Sequence, residues 1–203
     1  MTPVSFDGLR RLGGALCLDF VNTIDPRYGP DRVEYLPDYE SLAAWAAWAG
    51  AVVPGRGRVD RRRAAGVLRR AHALRDDLHV LIGSRRGDPD ALRRFNCELQ
   101  RAGANAVVRP GGTAYAAAWE TTTSPDRVLW PIVRSAEQLL LSPALERVRE
   151  CDGENCGWLF LDTSKAGRRR WCSMADCGNR AKARRHYARR NPGRPGRHGP
   201  AVA

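Results

Sequence analysis

Four of the six cysteines fall in two pairs of the same spacing, Cys151-x4-Cys156 and Cys172-x4-Cys177, with fifteen residues between the pairs. A tetrahedral thiolate site needs two such close pairs, brought together by whatever lies between them. The intervening sequence offers a means. The segment 158–161 (WLFL) reads as a strand, 163–167 as a turn, and 168–171 as the returning strand. Knuckle, hairpin, knuckle and then helix is a treble-clef-like order. Two disulfides, or scattered buried thiols, are the competing readings. A reducing cytosol disfavours the first, and the paired spacing beside Gly153, Gly157 and Gly178 disfavours the second. Four sulfur ligands with no fifth donor or open position point to one Zn2+ on Cys151, Cys156, Cys172 and Cys177, structural rather than catalytic. Cys17 and Cys97 lie on apolar helical faces and are expected in the core.

The charge is concentrated around these cysteines. The chain of 203 residues has a formal charge of +12, of which residues 151–203 supply +8 and residues 1–150 only +4. Four thiolates and Zn2+ together contribute −2, so the C-terminal segment keeps +6 after metal binding. A polyanionic partner matches that excess, because cations gain affinity by releasing counterions from phosphates. The segment 179–190 (NRAKARRHYARR) has high helical propensity, and at 100° per residue Lys182, Arg185 and Arg189 fall within about 60° of one another. Arg184, a further candidate DNA contact, shares a second face with Arg180, which stands next to the last cysteine and has a structural role there. Arg168, Arg169 and Arg170 form a further cluster suited to phosphate, while the helix stripe is the candidate reader of DNA bases. A solvated charged face is the plainer alternative.

The preceding 150 residues read as mostly helical. Apolar residues at helical intervals predict helices over 16–24, 38–50, 60–83 and 90–102, with Asp88 as a cap for the last. On these helices Val67, Leu68, Ala71, Leu74, Leu78 and Ile82 form one stripe, and Leu92, Phe95 and Leu99 point inward. A strand pair is expected within 104–123, and a further helix begins at the Ser124-Pro125-Asp126 cap and runs to about Ser142. Helices with their own apolar stripes are expected to fold without the cysteine module. The fold class is therefore mainly α (α+β), a helical domain followed by a cysteine-bound module containing a β-hairpin and a basic helix.

Asp19 and Asn22 interrupt the apolar run 16–24 on one face. They line a ligand pocket or an inter-domain contact, or else form a helix cap or core hydrogen bond. The four histidines have no nucleophile motif beside them and no phosphate loop is present, so an enzyme is not expected. No stretch approaches the roughly 20 apolar residues of a membrane helix. The chain reads as a cytoplasmic, nucleoid-associated protein.

The stretch CGWLFLDTSKAGRRRWCSMADCGNRAKARRHYARR resembles the CGNR zinc-finger family, whose name is the run at Cys177-Gly178-Asn179-Arg180. Upstream, LCLDFVNT at 16–23 resembles the start of the ABATE-like helical domain that precedes this finger in bacterial proteins. The resemblance implies a domain over 1–146, a finger over 147–191, and a basic tail over 192–203 that reads as disordered. It also implies a stress-related transcriptional regulator in which the finger binds DNA and the N-terminal domain senses a signal or small-molecule effector. Structured RNA is the nearest rival partner. A small-molecule or protein-interaction domain stapled by zinc, or a thiol redox sensor, are rivals of other classes.

Overall fold

A computed structural model describes residue 6 and residues 8–51, 59–84, 87–120 and 123–190. The tail 192–203 and the basic turn at 54–58 lie outside the described residues. Helix α1 (Leu16–Val21) is short and buried, with Cys17, Leu18, Phe20 and Val21 in the core. A small strand pair, β1 (Ile24–Asp25) with β2 (Val33–Glu34), follows it. Asp38 accepts a hydrogen bond from Ser41 N and starts α2 (Tyr39–Trp48). Asp60 does the same for Arg63 N at the head of α3 (Arg61–Gly83), and Asp88 for Ala91 N at α4 (Pro89–Gly103). Each cap satisfies an amide that has no partner within the helix.

Helix α3 is the central column. Its stripe of Val67, Ala71, Leu74, Leu78 and Ile82 is buried against α1, α2 and α4, with Leu68 at the margin. On α4, Phe95 is buried, but Leu92 is 43% exposed, so the inward stripe is narrower than the periodicity predicts. Cys97, expected in the core, is exposed on the same helix. A strand pair, β3 (Ala106–Gly111) with β4 (Ala114–Trp119), occupies the predicted stretch and stands out from the body. The last helix is divided at Leu129, just ahead of Pro131. Ser124 caps a 3-10 turn over Pro125–Val128, and α5 starts only at Trp130 and ends at Leu140, burying Ile132, Val133, Ala136 and Leu139.

The chain then enters the cysteine module through β5 (Val148–Glu150), which pairs antiparallel with β6 (Leu159–Leu161). The hairpin therefore encloses the first cysteine pair, and the predicted returning strand at 168–171 does not form. In its place 168–171 is a loop held by one side chain and one backbone bond: the Asp162 carboxylate accepts from Arg169 N at 2.9 Å, and the Arg170 carbonyl accepts from Asp152 N at 2.9 Å. A turn of π-helix, Met174–Gly178, leads into α6 (Asn179–Arg190). One continuous apolar cluster runs from Leu18, Leu42 and Leu78 to Trp158, Leu159 and Phe160. The helices and the cysteine module thus share a core.

Candidate metal centre and nucleic-acid interface

The sulfur atoms of Cys151, Cys156, Cys172 and Cys177 all lie within 4.8 Å of one another, and all four residues are buried. Cys156 and Cys172 sulfurs are 3.8 Å apart, and those of Cys172 and Cys177 are 3.7 Å apart. Zinc–sulfur bonds of about 2.3 Å in a tetrahedron place ligand sulfurs roughly 3.8 Å apart, so the spacing fits one Zn2+. The environment favours thiolate at Cys151 and Cys177. Gly153 N and Cys172 N point at Cys151 Sγ from 3.4 and 3.2 Å, and Arg180 Nη2 donates to Cys177 Sγ at 3.1 Å. The neighbouring thiols and Arg180 together hold the Cys177 thiol well below its ordinary range. A Cβ at Gly153 would stand 2.7 Å from Cys177 Sγ, so only glycine lets the first knuckle close over the second.

Residues 147–190 match the model of the CGNR zinc finger, and residues 14–143 match the ABATE model, described as "Putative stress-induced transcription regulator". The chain belongs to the ABATE family. Its cofactor is one structural zinc in the CGNR finger. Among curated proteins, none matches the chain.

The segment from β1 to β2 and helix α3 of the ABATE region grip the CGNR finger by its first knuckle. Arg27 N and Tyr28 N donate to the carbonyls of Cys156 and Asn155, each at 2.9 Å, and Trp158 Nε1 donates to the Ile24 carbonyl at 3.0 Å. His79 Nε2 lies 3.1 Å from the Gly157 carbonyl, and burial holds its imidazole below the ordinary histidine range. The outer edge of β6 is completed by the segment around α1. Asn22 exchanges two hydrogen bonds with the Leu159 backbone, Nδ2 to O at 2.8 Å and N to Oδ1 at 2.9 Å, and Leu161 N donates to the Gly13 carbonyl at 2.8 Å. Asp19 in turn accepts from Gly13 N at 2.8 Å and from Arg11 Nε at 3.2 Å. The polar pair therefore serves the contact between helices and finger, Asn22 directly and Asp19 through Gly13. Asp19 also borders a shallow hollow with Arg11, Gly14 and Leu16, but its oxygens are already engaged.

The arginine cluster at 168–170 divides into three different settings. Arg169 turns inward: Nε donates to the Trp171 carbonyl at 2.9 Å, Nη2 to the Cys172 carbonyl, and the guanidinium lies 4.4 Å over the Phe160 ring. Arg170 pairs with Asp152 at 2.6 Å and lies over Trp171. Arg168 is exposed. Among the cations of α6, Arg184 pairs with Glu154 at 3.2 Å, a contact that the separation of 30 residues hides in the sequence. Lys182, Arg185 and Arg189 are exposed on one stripe. The helix has no buried residue, and Arg180 on Cys177 and Arg184 on Glu154 tie its N-terminal half to the finger.

Proposed function

We propose that the protein is a zinc-dependent, DNA-binding transcriptional regulator of the cytoplasm and nucleoid, acting by binding and not by catalysis. One observation carries the reading: α6 has six cations, no carboxylate and no buried residue, and its root is fastened to a zinc ligand. A helix that gives the protein core nothing is free to be buried elsewhere, and its charge selects phosphate. Zinc sets the position of the helix by fixing Cys177. Lys182, Arg185 and Arg189 face the groove, and Arg168 and Arg170 stand where the finger meets the phosphate backbone. Arg169 acts inside the finger. The helical domain is the place for a signal or small-molecule effector, which would reach the finger through the Asn22–Leu159 junction. No helix among the described residues is long and apolar enough to cross a membrane.

Fluorescence anisotropy on duplex DNA over a salt series tests this. With roughly four to six phosphates engaged, log affinity should fall with log salt at a slope of about −4 to −5. Replacing Lys182, Arg185 and Arg189 together with Ala should flatten the slope by about 2 to 3 with the zinc content unchanged. If the zinc-loaded wild type binds duplex DNA no better than this variant, the reading fails. Tighter binding to structured RNA at matched salt would make RNA the partner.

A further inference from the structure

The hairpin β3–β4 has two unequal edges. Glu120 N donates to the Asn105 carbonyl, and the strand register pairs Ala106 with Trp119, Val108 with Ala117 and Pro110 with Tyr115. Hydrogen-bonded pairs alternate along an antiparallel ladder, so the amides and carbonyls of Ala114, Ala116 and Ala118 face β3, and those of Tyr115, Ala117 and Trp119 face outward. On the opposite edge the outward positions are Ala106, Val108 and Pro110. Pro110 has no amide to offer, and Arg109 adds a charge to that strand, both familiar ways of blunting an edge. The β4 edge has neither proline nor charge over its six residues, AYAAAW.

The side chains sort in the same way. Residues 115, 117 and 119 share one face of the hairpin with residues 106, 108 and 110, and every one of the six is apolar. Tyr115 is 80% and Val108 71% exposed on it, while Trp119 packs at its base against Trp130 with ring centroids 5.7 Å apart. A two-stranded hairpin alone is marginal in water and gains stability from further strands over an apolar face.

The geometry points to a homodimer formed by antiparallel pairing of β4 with β4 of a second copy. The strand is self-complementary about Ala117. Centred there, Ala117 meets Ala117, and Tyr115 meets Trp119 of the second copy twice over, so all three outward residues pair and six backbone hydrogen bonds close a four-stranded sheet. Aromatic residues oppose each other across the new seam, a favourable cross-strand pair. No charge lies on the shared face, which matters for a chain of net charge +12 that would otherwise repel its copy. With Val108 and Pro110 one strand back from the seam, Tyr115, Ala117 and the β4 backbone offer on the order of 200 to 300 Å² per copy, counting about 150 Å² for the tyrosine. That is below a standard interface of roughly 800 Å² per partner and fits a weak, reversible dimer.

Sedimentation equilibrium of the full zinc-loaded chain over roughly 5 to 500 µM, the range in which so small an interface titrates, should show monomer passing to dimer. Ala117→Pro removes an amide that the hairpin itself does not use, so it should weaken association at least tenfold while leaving the thermal midpoint within a degree or two. A second measurement fixes the register. In a Cys97→Ser background with excess zinc, Ala117→Cys should form a disulfide-linked dimer, because facing Cα atoms in such a pair lie about 5.5 Å apart. Ala116→Cys, on the other face and opposite Ala118, should not. A wild type that stays monomeric throughout the range overturns the proposal. So does an Ala117→Pro variant that dimerises like wild type, or equal cross-linking at 116 and 117.

Discussion

Asn22→Ala isolates the coupling between the helices and the finger. The side chain is 1% exposed and supplies both partners of the Leu159 backbone, itself fully buried on the outer edge of β6. Truncation removes two good hydrogen bonds and leaves a donor and an acceptor without partners. Each orphaned buried group costs about 1 to 3 kcal/mol, so the loss should be about 2 to 6 kcal/mol, a large part of the roughly 5 to 15 kcal/mol that holds a domain together. Leu159 lies three residues from Cys156, on a strand paired with the one that ends at Glu150, next to Cys151, so the first knuckle should loosen as well. Denaturant unfolding with zinc present would give the stability, and transfer of zinc to a coloured chelator would give the rate of release. The variant should unfold at lower denaturant and release zinc several-fold faster. A stability change under about 0.5 kcal/mol, typical of a neutral surface substitution, would refute the reasoning. So would a large stability loss with unaltered zinc release, because the finger would then not depend on the helices.

Thiol titration of the zinc-loaded protein should show one fast cysteine, exposed Cys97; Cys17, buried and pushed up to about 11, should react only on unfolding, and a chelator should release four more. More than one fast thiol before chelation would contradict the closed zinc site. His79 is held neutral by burial, so protonation favours the unfolded chain, and its contribution is full above about pH 6.5 and lost as pH falls toward the lower folded value. The thermal midpoint of wild type should therefore fall relative to His79→Gln between pH 8 and pH 5.5, and a constant difference would remove His79 from the account. The Ser164 hydroxyl, with Arg169 N and Ser164 N also donating to Asp162, holds its carboxyl down to about 2. Its contribution is present above its ordinary value near 3.8 and is lost as pH falls through 2, so Asp162→Asn should destabilise the finger at neutral pH and progressively less in acid. Arg169→Ala should raise zinc release more than it lowers DNA affinity, the reverse of Arg168→Ala, as metal release and anisotropy would show.

The local signals of the sequence were sufficient where the physics is local. Asp38, Asp60 and Asp88 each cap the helix that the apolar spacing predicts, because a cap bonds to an amide three residues on. The cysteine pairs are equally local, and their spacing alone specifies the zinc ligands. Pairing between distant segments was less legible. The segment 158–161 is a strand as its residues suggest, yet its partner is β5 and not 168–171, because Asp162 and Arg169 satisfy the loop without a ladder. Exposure differed for the same reason. Cys97 and Leu92 sit on a helix whose apolar stripe is wider than the surface it covers, and nothing in the stripe records how wide the neighbouring helices are. Among the arginines, composition alone made 168, 169 and 170 equivalent, and only the folded finger puts Arg169 over Phe160 and Arg170 on Asp152. Sequence determines what a residue can bond to within a few positions, and the tertiary structure decides which of the remaining bonds are made. Asn22 shows the difference: its amide could cap a helix or line a pocket, and it closes a strand edge 137 residues away because β6 arrives there with its backbone unpaired.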